Sequence, residues 1–182
     1  MEFERTSLEG AWLIRLQPAS DERGFFARTF CEREFSAHGL ETTFPQHSTS
    51  FSARKGTLRG MHFQREPHVE VKLVRCLHGA IFDVIIDIRP RSPTYRRWQS
   101  FELTAENRLQ LYIPRGFAHG FQTLSDDAEV GYLISEFYNA ESASGLRYDD
   151  PAFGVSWPLP ISTISDKDRG WPMFTDARAL AT

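Results

Sequence analysis

Apolar and polar residues alternate along Val69-Glu70-Val71-Lys72-Leu73-Val74-Arg75-Cys76-Leu77, the period of a strand with one face turned to a core. His78-Gly79 then reads as a turn into Ala80-Ile81-Phe82-Asp83-Val84-Ile85-Ile86-Asp87-Ile88. In that second run Phe82, Val84, Ile86 and Ile88 share one face, and Asp83 and Asp87 flank Ile85 on the other. Further strands are predicted from Arg97 to Leu103, Leu109 to Ile113, Phe121 to Leu124 and Val130 to Phe137. Turns separate them at Arg91-Ser92-Pro93, Thr104-Ala105-Glu106-Asn107 and Ser125-Asp126-Asp127. One short helix is predicted from Glu32 to His38, with Gly39 as its C-terminal stop. Many short strands at regular spacing make the chain all-β, a sandwich or jelly roll with short flanking helices. From Glu141 to Pro172 periodicity is lost and Pro, Asp, Gly and Trp accumulate. A structureless tail that packs over the fold and carries function is expected there.

At 182 residues the chain fits one domain, with an N-terminal arm over residues 1–50 and a tail over 141–182. A net charge of −3 gives no long-range attraction for nucleic acid or an anionic membrane. No run approaches the roughly 18 apolar residues of a spanning helix, and Met1-Glu2-Phe3-Glu4 is too acidic to open a signal peptide. A soluble, cytoplasmic protein is expected. Cys31 and Cys76 stand far apart without metal-type spacing, which points to two reduced thiols. Only three of the 21 basic residues are lysines, so a lysine inside an apolar strand, such as Lys72, is informative.

Three segments resemble the motifs of the cupin barrels. A metal-binding cupin reads Gly-x-x-x-x-x-His-x-His, then Glu-x-x-x-x-x-x-Gly, then Pro-x-Gly-x-x-His. The frame survives in Gly56-Thr57-Leu58-Arg59-Gly60-Met61-His62, in Lys72-Leu73-Val74-Arg75-Cys76-Leu77-His78-Gly79 and in Pro114-Arg115-Gly116-Phe117-Ala118-His119. Gln64 and Lys72, however, stand at two of the four ligand positions. An ammonium in place of a carboxylate repels a divalent cation and suits an anion, so no metal is expected and the pocket reads as rebuilt for proton chemistry.

Taken by themselves, the candidate residues keep two readings each. Alternation puts Leu58, Gly60, His62 and Gln64 on one strand face, where His62 is structural or lines a pocket; its motif position favours the pocket. His119 points into the same barrel or bonds to backbone after its turn. Lys72 shares a side with Glu70 and Val74 and either reaches solvent or meets an anion inside. Arg59, Arg75, Asp83 and Asp87 form a polar lining with it, or the two aspartates lie on a solvated face. Tyr132 alone reads as core or interface, and Asp166-Lys167-Asp168-Arg169 as a solvated turn.

The same segments, with Asp83-Val84, Asp87-Ile88-Arg89, Ser92-Pro93-Thr94, Ala105-Glu106-Asn107, Asp149-Asp150-Pro151 and Ser165-Asp166-Lys167-Asp168, together resemble the dTDP-4-dehydrorhamnose 3,5-epimerase family. The resemblance runs from Arg23 to Pro172. It implies a cofactor-independent enzyme that inverts stereocentres beside the ketone of a nucleotide-linked 4-keto-6-deoxyhexose. His62 matches the general base, Asp168 the carboxylate that orients it, and Tyr132 the acid that returns a proton on the opposite face. Lys72 and Arg59, with His119 near them, match the groups around the keto oxygen. It further implies a homodimer in which the N-terminal region reaches the partner's site. Arg23, Phe26 and Gln46 would hold the nucleotide, with Tyr138 near it.

The chain departs from the family pattern where Arg28 replaces a glutamate and Ser48 an asparagine. A carboxylate accepts a hydrogen bond from the imide N–H of thymine and an arginine cannot. The expectation is therefore a base rich in acceptors, cytosine or guanine, unless Arg28 turns to solvent or pairs with a glutamate across a dimer. A mono-epimerase for a non-thymidine nucleotide sugar is one alternative. A metal-dependent cupin dioxygenase or isomerase, and a non-catalytic sugar-nucleotide binder, are rivals that Gln64, Lys72 and the His62, Asp168 and Tyr132 set argue against.

Overall fold

The structure, a computed structural model, describes residues 1–174; the end of the expected tail, 175–182, lies outside the described residues. In chain order the elements are β1 (Glu2–Arg5), β2 (Trp12–Arg15), β3 (Ala19–Asp21), β4 (Gly24–Phe26), α1 (Glu32–Ala37), β5 (Gln46–Ser52), β6 (Thr57–Gln64) and β7 (Lys72–His78). There follow β8 (Ala80–Asp87), β9 (Trp98–Thr104), β10 (Leu109–Ile113), β11 (Phe117–Thr123), β12 (Ala128–Ile134), β13 (Ala143–Gly145), β14 (Thr163–Ile164) and α2 (Asp166–Arg169). The expected strands are present with shifted ends. The largest shifts are at β11, which starts directly after the Gly116 turn, and at β12, which ends before Phe137.

One sheet runs β1-β2-β10-β7-β12-β5, and the other β13-β6-β11-β8-β9 with β14 added in parallel to β6. They face each other as a cupin-type jelly roll, and β3 and β4 form a separate hairpin. Residues 1–15 are thus largely strands of the first sheet and not a free arm. Val74, Cys76, Ile81, Ile85, Leu103, Leu111, Phe121 and Val130 fill the space between the sheets. Burial in that space pushes the Cys76 thiol up to about 11, so it stays protonated at neutral pH.

Phe82, Val84 and Ile86 do share a face, continued by Ile88, but it is the outer face of their sheet. Leu146, Phe153, Trp157 and Phe174 from the tail cover it. On the other sheet Trp12, Ile14, Leu73 and Tyr112 are covered by Phe35 of α1. Burying each side chain of this size is worth roughly 1.5–3 kcal/mol, so both flanks stabilise the fold alongside the central core.

The tail is therefore not structureless. It adds β13 and β14 to the edge of β6 opposite β11, one toward each end, and α2 follows with Ser165 as its N-cap, accepting the Asp168 N–H at 3.1 Å. Trp98 and Trp157 each donate an indole N–H to a carbonyl at 2.9 Å, Trp98 to Phe153 in the tail and Trp157 to Tyr148. Order built from such single attachments leaves no periodic signal in the sequence. Asp87, expected in a polar lining, is fully buried and structural, accepting from Arg89, Ser92 and Thr94. Burial pushes its carboxyl up, but these bonds outweigh that and hold it below its usual value. Among the described residues no helix is long and apolar enough to cross a membrane.

Candidate active site

His62 on β6 and His119 on β11 are direct cross-strand partners, so both side chains leave the same face of the sheet. Next to them the regular ladder breaks. Register shifts between His119 and Phe121, and Gly60 takes a φ of +133°, where an added Cβ would lie 2.5 Å from the Gly120 Cα. Glycine at both positions lets the two backbones approach. The break changes the phase of β6, which corrects the simple alternation. Arg59, and not Leu58, joins His62 at the pocket, while Met61 and Phe63 turn to the outer cluster.

The freed Gly60 N–H donates to Asp168 Oδ2 at 3.1 Å, and Asp168 Oδ1 accepts from His62 Nε2 at 2.7 Å. Trp171 Nε1–H adds a third bond to the same carboxylate at 3.2 Å. The Asp168 side chain is 6% exposed and that of His62 is 43% exposed, so the anion is sealed while the imidazole meets the pocket. Burial alone would raise the Asp168 carboxyl; the His62 bond and charge, with the Gly60 and Trp171 donors, outweigh it and keep it below its usual value. Asp168 is thus no solvated turn residue.

Two adjoining hollows, of about 220 and about 260 Å³, share His62, Lys72 and Ile134. Their combined size suits a sugar with part of a nucleotide. Tyr132 enters the second hollow from the opposite sheet, its hydroxyl 3.3 Å from Ser50 Oγ. Burial pushes its phenol far above the ordinary value. His119 is buried, with Nε2–H donating to Asp83 Oδ2 at 2.8 Å. Asp83 is fully buried, and its other oxygen has no partner among the described residues. Arg59 donates to Ser52 Oγ at 3.0 Å and to the Phe51 carbonyl at 2.8 Å, which fixes its guanidinium beside the pocket.

Lys72 meets its anion, as the strand pattern allowed. Nζ lies 2.8 Å from Glu70 Oε1, with the two side chains 12% and 10% exposed. Arg75 instead leaves the pocket set and lines a separate surface hollow with Phe25 and Leu77. Gln64, at a ligand position of metal cupins, clamps a loop: its amide donates to the His68 and Phe137 carbonyls and accepts from Asn139 N–H. Among the described residues no group of three or more His, Cys, Asp or Glu side chains is placed to hold a metal ion.

The expected nucleotide residues divide. Gln46 and Tyr138 stand together at the rim of the first hollow, with Tyr138 N–H donating to Gln46 Oε1 at 2.6 Å, and Ser48 lines the second. Arg23 and Phe26 lie on the β3–β4 hairpin, 84% and 78% exposed, and line neither hollow. Arg28 turns largely to solvent, 63% exposed, and pairs with Glu34 of its own chain at 3.2 Å. Trp171 and Ser50 join the site without having been expected from sequence. Ser50 had a usable signal, since it lies two residues from Ser48 on a strand; Trp171 had only its nearness to Asp168.

The family model described as dTDP-4-dehydrorhamnose 3,5-epimerase matches residues 5–176. A dTDP-4-dehydrorhamnose 3,5-epimerase of Methanothermobacter thermautotrophicus is 48% identical over 172 residues, covering 93% of this chain and 92% of that protein. The crystal structure of the Elizabethkingia anophelis enzyme of that name superposes with a TM-score of 0.92 at 39% identity, covering 96% of both chains. A Legionella pneumophila dTDP-6-deoxy-D-glucose-3,5-epimerase, solved with dTDP-4-keto-L-rhamnose, gives a TM-score of 0.91 at 36% identity, covering 98% of this chain and 96% of that one. Motif, fold and sequence agree over nearly the whole length, and the chain belongs to the dTDP-4-dehydrorhamnose 3,5-epimerase family.

Proposed function

We propose that this protein inverts C3 and C5 of a thymidine-diphosphate-linked 4-keto-6-deoxyhexose by removing and returning the proton beside the ketone. The His62–Asp168 pair at 2.7 Å, facing Tyr132 across the hollow, carries this reading. Asp168 takes the Nε2–H of His62, which leaves Nδ1 to accept a proton from carbon. A positioned base of this kind contributes roughly 10²–10⁴-fold. Deprotonation places negative charge on the keto oxygen, where the Lys72 donors left over from Glu70 and the Arg59 donors left over from Ser52 and Phe51, with His119 beside them, can meet it. Loss of one such donor costs roughly 2.7–4 kcal/mol in comparable oxyanion sites. Tyr132, its phenol held neutral by burial, delivers the proton to the opposite face of the carbon.

For the nucleotide, Arg28 gives no reason to reject thymine, because it turns largely to solvent beside Glu34 and lines neither hollow. The Legionella pneumophila relative, solved with a dTDP-linked sugar, supports thymidine, and nothing favours the cytosine or guanine expected from Arg28. Gln46, Ser48 and Tyr138 are placed to receive the nucleotide side of the substrate. The exposed hairpin suits a homodimer in which Arg23 and Phe26 complete the partner's pocket. Phe51 and Leu77, 55% and 37% exposed on the face of their sheet turned from the core, fit the same assembly. A cytoplasmic setting and chemistry without a metal or organic cofactor belong to this proposal.

The test is incubation with a dTDP-linked 4-keto-6-deoxyhexose in D₂O, with deuterium located by NMR. Incorporation at both C3 and C5 is expected. Exchange at one carbon alone would make the enzyme a mono-epimerase, and exchange at neither would end the epimerase reading.

A further inference from the structure

Resting on that reading, we infer that Ser50 is the proton relay that recharges Tyr132 between the two inversions of one bound sugar. Each inversion places one proton on His62 and takes one from Tyr132. A sugar inverted at two carbons therefore draws two protons from Tyr132 before it leaves. The phenolate must be reprotonated while the substrate still blocks the pocket.

His62 resets easily, because its side chain remains 43% exposed in the open site. Tyr132 is part-buried in the open site, but its hydroxyl faces the second hollow, so a sugar seated there shuts it off from solvent. Among the described residues the hydroxyl has one hydrogen-bond partner, Ser50 Oγ at 3.3 Å, and either oxygen can donate. The neighbouring charged groups are committed elsewhere. Arg59 does not release protons, and its N–H groups bond Ser52 and Phe51. His119 directs Nε2–H to fully buried Asp83, and its ring stands 6.3 Å from that of Tyr132, edge-on.

Ser50 has an outlet. It lies on β5, the edge strand of its sheet, only partly buried, and Ser48 two residues earlier is exposed on the same strand face. The relay step balances. The Tyr132 oxygen takes the Ser50 hydroxyl proton, breaking one O–H bond and forming another, while Ser50 Oγ takes a proton from water at the rim. Serine ends unchanged, and the hydroxide left in solvent is neutralised by the proton that His62 gives up.

The experiment compares wild type, Ser50→Ala and Ser50→Thr with a dTDP-linked 4-keto-6-deoxyhexose, quenching at short times and separating singly from doubly inverted sugar by NMR. Ser50→Ala should deliver the first proton at the wild-type rate and slow the second inversion on the order of 10²-fold, so that singly inverted sugar accumulates. Ser50→Thr keeps the hydroxyl and should restore the doubly inverted product. Doubly inverted product from Ser50→Ala at the wild-type rate would overturn the relay. Equal slowing of both inversions would overturn it too, making Ser50 a support for Tyr132. Wild-type protein that exchanges at neither carbon would show instead that the underlying epimerase reading is wrong.

Discussion

Asp168→Asn isolates the anion behind His62 with the least disturbance of shape. The carboxylate accepts from three N–H donors, His62 Nε2 at 2.7 Å, Gly60 N at 3.1 Å and Trp171 Nε1 at 3.2 Å. An amide of the same size has one acceptor oxygen, and its NH₂ must face at least one of these donors. If the oxygen stays with His62 and Trp171, the NH₂ opposes Gly60; if it flips, the imidazole loses its acceptor. In either case the negative charge that stabilises an imidazolium is gone. A hydrogen bond to a charged partner is worth roughly 1.5–3 kcal/mol. If that is lost from the proton-transfer transition state, kcat/KM falls about 10- to 150-fold. The unmatched donor destabilises the fold as well, lowering Tm by about 2–4 °C per kcal/mol for a chain of this size. Steady-state epimerisation, followed by NMR, and a thermal melt measure the two effects separately. A variant with wild-type kcat/KM would show that Asp168 supports the loop and not the base.

His62→Ala should abolish deuterium exchange at every epimerised carbon, since one base serves both positions from one face; exchange surviving at one carbon would require a second base. Tyr132→Phe should still wash substrate protons into D₂O while yielding little inverted sugar, and a normal epimer yield would identify a different acid. Asp87 and Asp168 both titrate below their ordinary value of 3.8, so their stabilisation is present above that pH and lost as pH falls through their folded values. Thermal melts should therefore fall progressively below about pH 4 and much less between pH 5 and 7. A Tm that holds to pH 3 would contradict the bonding around these two carboxylates.

The residues that sequence located well are those whose chemistry is tied to a short local frame. His62, Lys72 and His119 sit where the motif spacing put them, because strand and turn geometry convert spacing directly into direction. Alternation failed at Gly60, where a left-handed glycine changes the phase of β6 and brings Arg59 to the pocket in place of Leu58. The tail failed for a different reason. Its order depends on strand partners and aromatic covers supplied by distant residues, and Trp171 against Gly145 leaves no local trace. Arg28 misled because its place in the motif does not say where its side chain points, and it turns largely to solvent beside Glu34.

His62 and Asp168 lie 106 residues apart, and the segment that delivers Asp168 follows the one that covers Phe82, Val84, Ile86 and Ile88. One continuous segment therefore carries both the cover and the partner of the base. An opening of the tail that runs on through α2 strips the imidazole of its counter-charge, so molecules opened that far are silent. Each 1.4 kcal/mol lost from the docking free energy raises the open fraction about tenfold. Leu146, Phe153 and Trp157, placed on the outer face of the sheet, thus set how many molecules are competent at any moment. Substitutions there would lower apparent kcat while leaving KM and the chemistry of the remaining active fraction unchanged.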